Sequence, residues 1–149
     1  MNEPQVRLSL EGDRAAFCPG EVLRGTWSIE RLAPTELKAI ELSVLWHTEG
    51  KGDEDLAVHF FERVTAEDSL ALATSQPRVF SVPLPSSPMS YDGLVVKIRW
   101  CVRVRVFLHR GRELLVDVPF RLGEVPSPRA SLPRLDQTAV EAVNGDGEQ

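Results

Sequence analysis

Four cations, Lys97, Arg99, Arg103 and Arg105, stand at odd positions along a run whose even positions are apolar. In an extended strand, side chains at even spacing share a face, so these four form a row on one side of a sheet. A row of fixed cations can hold an acidic or phosphorylated segment through charge-assisted hydrogen bonds. The plainer reading is a solvated sheet face whose charges pair across strands, which is how exposed antiparallel faces are normally dressed. Asp117, on the next predicted strand, supplies one such partner.

Other side chains with chemical potential are scattered. His47, His59 and His109 fall on different strands, and no His-x-x-x-His or Cys-x-x-Cys spacing suggests zinc. The tip Glu49-Gly50-Lys51-Gly52-Asp53-Glu54-Asp55 lacks the alternating oxygen ligands and distant glutamate of a calcium loop, and reads as a polar hairpin tip. No nucleophile elbow, glycine-rich phosphate loop or paired carboxylates occur in a strand context. The expectation is a protein with no catalytic residue, no metal and no cofactor. Cys18 and Cys101 make no disulfide framework, and free thiols in a reducing cytoplasm are expected.

Charge narrows the partners. The formal net charge is −5 and the pI is near 5.2, against the basic excess of a general nucleic-acid binder. From Leu94 to Arg121 seven basic residues meet two acidic ones, so the rest of the chain is −10. Such asymmetry fits either internal pairing or a patch for an anionic partner. Met1-Asn2-Glu3-Pro4 begins no secretory signal, and Lys97, Arg99, Arg103 and Arg105 interrupt the longest apolar region, so no membrane span is expected.

The elements that must position these residues are strands. Hydrophobic residues make up 42% of the chain, enough for a core, and they alternate with period two. Val6, Leu8 and Leu10 share one face, as do Leu23, Gly25, Trp27 and Ile29. Ile40, Leu42, Val44 and Trp46 form a third set, Leu56, Val58 and Phe60 a fourth, and Val79 to Leu84 a short strand stopped by prolines. Val96 to His109 is the longest strand, and Leu114, Val116, Val118 and Phe120 close the series. Trp27, Trp46, Trp100 and Tyr91 are read as core aromatics. Both long strands flanking Arg110-Gly111-Arg112 place apolar residues at even numbers, so a loop of three or five residues preserves the faces. The register expected is Arg105 opposite Asp117 and His109 opposite Glu113. Asp68 to Thr74 is read as one helical turn.

Residues 1–122 thus read as one domain. Residues 123–149, with Pro126, Pro128 and Pro133 and a Gly/Asp/Glu-rich end, read as a Pro-rich disordered tail in which Thr138 to Val143 forms a helical turn on binding.

Two segments resemble the N-terminal domain of arrestins and alpha-arrestins. One is Phe17-Cys18-Pro19-Gly20-Glu21-Val22-Leu23-Arg24-Gly25, with its Pro-Gly-Glu turn, valine and glycine. The other runs from Phe80 through Pro83, Pro85, Pro88, Tyr91 and Gly93 to Ile98-Arg99-Trp100-Cys101-Val102. The resemblance covers Val6 to Leu122. It implies an all-β, two-sheet antiparallel β-sandwich of arrestin or immunoglobulin-like type with about seven or more strands, working as a non-catalytic adaptor or scaffold. The chain is about half the length of a two-domain arrestin, and no residues match the buried charge cluster that senses phosphate in receptor-binding arrestins, so receptor regulation is not carried over.

The function expected is protein binding through sheet edges, loops or the basic face, in the cytoplasm. One rival is a sandwich for a carbohydrate or small anion, which needs a concave site with exposed aromatics. A hydrolase needs a cleft histidine beside a serine, cysteine or acid.

Overall fold

The computed structural model describes residues 3–52, 54–65 and 77–123. Among them are nine strands: β1 (Gln5–Leu10), β2 (Ala16–Phe17), β3 (Val22–Glu30), β4 (Leu37–Gly50), β5 (Leu56–Thr65), β6 (Arg78–Pro83), β7 (Tyr91–Asp92), β8 (Val96–Leu108) and β9 (Glu113–Leu122). A small sheet runs β1-β3-β6. A larger one runs β2-β9-β8-β4-β5, with β7 paired to the start of β8. All pairings are antiparallel except the two-residue bridge of β2 to β9, which is parallel. The predicted helical turn at Asp68–Thr74 and the tail beyond Gly123 lie outside the described residues.

The alternation read from the sequence builds the core. Val102, Val104 and Val106 of β8 and Leu42 and Val44 of β4 face Leu23 and Trp27 of β3 and Phe80 and Val82 of β6. Trp100 is 1% exposed. β4 is an interior strand between β8 and β5, and Ala39 and Leu45 on its other face are buried as well.

Three expectations need correction. First, β5 does not carry one apolar face. The register with β4 slips between Val44↔Phe60 and Leu45↔Val58, leaving His59 as a bulge. Beyond the extra residue every side chain changes face, so Phe60 packs on the core while Leu56 and Val58 point outward with Phe61. Second, the β8–β9 loop is His109-Arg110-Gly111, one residue earlier than expected. Gly111 at φ 73° takes the last loop position, where a left-handed residue closes the turn and sets Arg112 to accept from Leu108 N at 2.8 Å. Arg103, not Arg105, therefore opposes Asp117, and Phe107, not His109, opposes Glu113. Third, Tyr91 is 55% exposed rather than core, because β7 pairs only with the outermost turn of β8, through Ile98 and Lys97.

Candidate binding surface

The register fixes the outer face of the larger sheet. Across β5, β4, β8 and β9 its rows are Leu56–His47–Arg99, Val58–Leu45–Cys101–Pro119, Phe61–Ser43–Arg103–Asp117 and Arg63–Glu41–Arg105–Leu115. The four cations singled out in the sequence do share this face, and three of them are already engaged. Arg103 is bidentate on Asp117, with Nε 2.8 Å from Oδ1 and Nη2 3.2 Å from Oδ2, and that hydrogen bonding raises its pKa further. Arg105 Nε lies 2.7 Å from Glu113 Oε2 but is not aligned to donate to it. Arg99 Nη1 is 3.1 Å from Asp92 Oδ1, and its Nε is 3.6 Å from Glu49. Arg63 on β5 pairs with Glu41, and the Phe107 ring lies 5.6 Å from its guanidinium and 5.9 Å from that of Arg105. Lys97 is the member of the stripe with no carboxylate partner among the described residues. The stripe is thus largely a neutralised ladder.

Between the charged rows runs an apolar band that periodicity did not reveal. Cys101 and Leu45 are 4% and 2% exposed on a face expected to be wet. Burial, with Asp117 adding to it, pushes the Cys101 thiol up to about 11. Around this pair Leu56, Val58 and Phe61 of β5 are each half exposed. β5 is an edge strand of its sheet. The signal that could have found the band is the odd count between Val58 and Phe61, two apolar residues that cannot share a face in an unbroken strand.

The motif residues are accounted for by structure. Cys18-Pro19-Gly20-Glu21 is a β-turn closed by Glu21 N donating to Cys18 O at 3.1 Å, with Gly20 at φ 83°. The Glu21 carboxylate accepts from Arg14 and from Cys18 N at 2.9 Å, and these donors hold its pKa at about 2. Glu21 O accepts from Leu84 N at 2.9 Å, which ties this turn to the proline-rich segment. Gly25 opposes Phe80, and a Cβ there would meet Phe80 Cζ and Ser9 O at 2.6 Å. Pro83 ends β6, Pro85 follows it, and Pro88 O accepts from Trp100 Nε1 at 2.8 Å. The Tyr91 ring occupies the space a Gly93 side chain would need.

His47 sits on the outer face, 3.1 Å from Glu49, and holds that carboxyl below its usual range together with Arg99. His59 Nε2 donates to Pro83 O at 2.7 Å and stands edge-on to Trp100, joining β5 to β6. His109 is exposed in the turn. Among the described residues none of the three is hydrogen-bonded to a serine or cysteine, and no group of three or more His, Cys, Asp or Glu could hold a metal ion. A surface hollow of about 380 Å³ beside Ser9, Glu11, Arg24, Thr26 and Val79 is lined by no aromatic side chain. No helix among the described residues is long and apolar enough to cross a membrane.

No protein-family model matches the chain, and no curated protein matches it. Among solved structures it is similar to Spo0M, a sporulation control protein from Bacillus subtilis, with a TM-score of 0.57 and 15% identity. The match covers 85% of this chain and 51% of that one, so the chain spans about half the length of the structure it resembles. At this identity the likeness concerns the fold alone. Nine strands in two packed sheets among the described residues, the pinned Pro-Gly-Glu turn and this neighbour together make the fold an arrestin-like β-sandwich.

Proposed function

We propose that this chain is a non-catalytic adaptor or scaffold module that holds an extended segment of a protein partner along the outer side of β5. The observation that carries this reading is the bulge at His59, which turns Leu56, Val58 and Phe61 outward on an edge strand beside the buried Leu45–Cys101 pair. An edge strand offers main-chain hydrogen bonds, and alternate apolar side chains of an added segment would rest on these three. The basic stripe is the weaker candidate, because a cation paired at 2.8 Å must surrender its carboxylate before it binds another. Its free member, Lys97, adds one charge at the Leu56 end of the same face.

The test is a photo-crosslinking residue placed at Phe61 or at Arg24 on the small sheet, in source-cell lysate. Crosslinking to a discrete partner from position 61 and not from 24 is expected, with loss in a Val58→Glu variant. No adduct from position 61, or equal adducts from both, overturns the reading.

A further inference from the structure

The most exposed apolar side chains are not on β5. Met89, Tyr91, Leu94 and Val95 lie within seven residues of one another, in the link from β6 to β8, and each is at least half exposed. Leu94 is fully exposed. Single exposed apolar residues need no explanation, but four together at one end of a sandwich do.

This segment is held in place. Tyr91 and Asp92 pair with Ile98 and Lys97, Gly93 N donates to Val96 O at 3.0 Å, and Val95 O accepts from Lys51 N at 3.3 Å. Ser90 N donates to Leu122 O at 2.7 Å, and its Oγ accepts from Leu122 N at 2.9 Å. The backbone therefore presents Leu94 and Val95 outward without an ordering cost on binding.

Polarity is graded away from the tip. The aliphatic pair leads. The Tyr91 ring lies back against Gly93. Lys51 and Lys97 flank the tip, and neither forms an ion pair among the described residues, although Glu49 and Asp92 stand opposite Lys97 in the register. Asp92, next to Gly93 in the chain, is occupied by Arg99 at 3.1 Å and Arg121 at 2.9 Å. Glu49 opposite Lys97, and Glu54 and Asp55 in the adjacent β4–β5 loop, are exposed and offset part of the lysines' field. An exposed aliphatic pair, a half-exposed tyrosine beside it and two adjacent ammonium groups free of ion pairs among the described residues supply the chemistries that acyl chain, interface and phosphate take in a bilayer. A protein pocket would call for a central anchor inside a polar rim instead.

We propose that Met89–Val95 is a membrane-contact tip, which seats Leu94 and Val95 at the acyl boundary of a lipid bilayer, with Tyr91 at headgroup level and Lys51 and Lys97 on lipid phosphate. Contact of this kind is reversible and driven chiefly by the apolar apex, since one small insertion gives marginal binding. The flanking acids keep its dependence on lipid charge shallow.

The experiment is sedimentation of the full chain with vesicles of phosphatidylcholine and phosphatidylglycerol at 7:3, and with pure phosphatidylcholine. The wild type is expected to sediment with both, somewhat more with the first. A Leu94→Asp, Val95→Asp variant, altered where side chains touch solvent, is expected to keep its circular dichroism and to lose about tenfold in partitioning. Leu94→Trp is expected to partition at least as well and to shift its emission to the blue on vesicle addition. The proposal is overturned if the wild type stays in solution with both vesicles, if the double variant sediments equally, or if the Leu94→Trp emission does not move. A Val58→Glu variant is expected to sediment like the wild type, so failure of the β5 reading and failure of this one are told apart.

Discussion

Glu21 shows how one carboxylate can organise a motif. It caps the Cys18–Glu21 turn, pairs with Arg14, and through its own carbonyl holds Leu84. Its folded pKa of about 2 lies below the ordinary 4.5, so its contribution to stability is full above the ordinary value and is lost as pH falls through about 2. Acid titration followed by circular dichroism is expected to show Glu21→Gln less stable than wild type at pH 7, with the gap closing between pH 4.5 and 2. A gap that persists unchanged at low pH contradicts the ionised role. The two thiols differ just as sharply. Cys101 is buried with its pKa raised, whereas Cys18 is exposed. A disulfide reagent at pH 8 is expected to titrate one thiol in the native protein and both after denaturation. Rapid modification of both without denaturant contradicts the buried band around Leu45 and Cys101.

At the scale of elements, the legible part of the fold is the part with unbroken period two. β3, β8 and β9 have the apolar faces that their sequences announce, because each pairs on both sides, and β4 keeps its own alternation from Ala39 onward, where the slip against β5 falls on the β5 side. What was not legible is where the period breaks. The bulge at His59 costs no residue of unusual type, so Leu56, Val58 and Phe60 read as one stripe when they are two. The β8–β9 loop has the right parity and the wrong phase, since parity follows from the core faces while phase depends on which residue takes the left-handed position. The candidate stripe was legible as a row. Its neutralisation was legible only for Asp117, because Asp92 and Glu49 reach it from β7 and the end of β4. Close packing between elements can be tested at Gly25, where any side chain must displace Phe80 or the β1 backbone. Gly25→Ala is expected to cost about 1–3 kcal/mol in denaturant unfolding. A neutral result means that β1 and β6 can part at that point.

At the scale of the molecule, three of the exteriors among the described residues differ in chemistry. The outer face of the larger sheet is a self-paired ionic ladder crossed by an apolar band. The β5 edge of that sheet shows apolar side chains. The end of the sandwich at Gly93–Val95 carries the apolar tip. The central claim is that charge on this face is spent on the fold, while recognition rests on β5. Charge exchange at one pair tests it most directly: Arg103→Asp with Asp117→Arg keeps an opposite-charge pair and reverses the sign at each position. Exposed pairs of this kind contribute about 0.2–1 kcal/mol, so the single Arg103→Asp change is expected to destabilise modestly and the exchange to recover the loss. Partner capture from the position-61 crosslink should then equal that of the wild type. If the exchanged protein folds as well as wild type yet captures no partner, the arginine row is the recognition site and β5 is not.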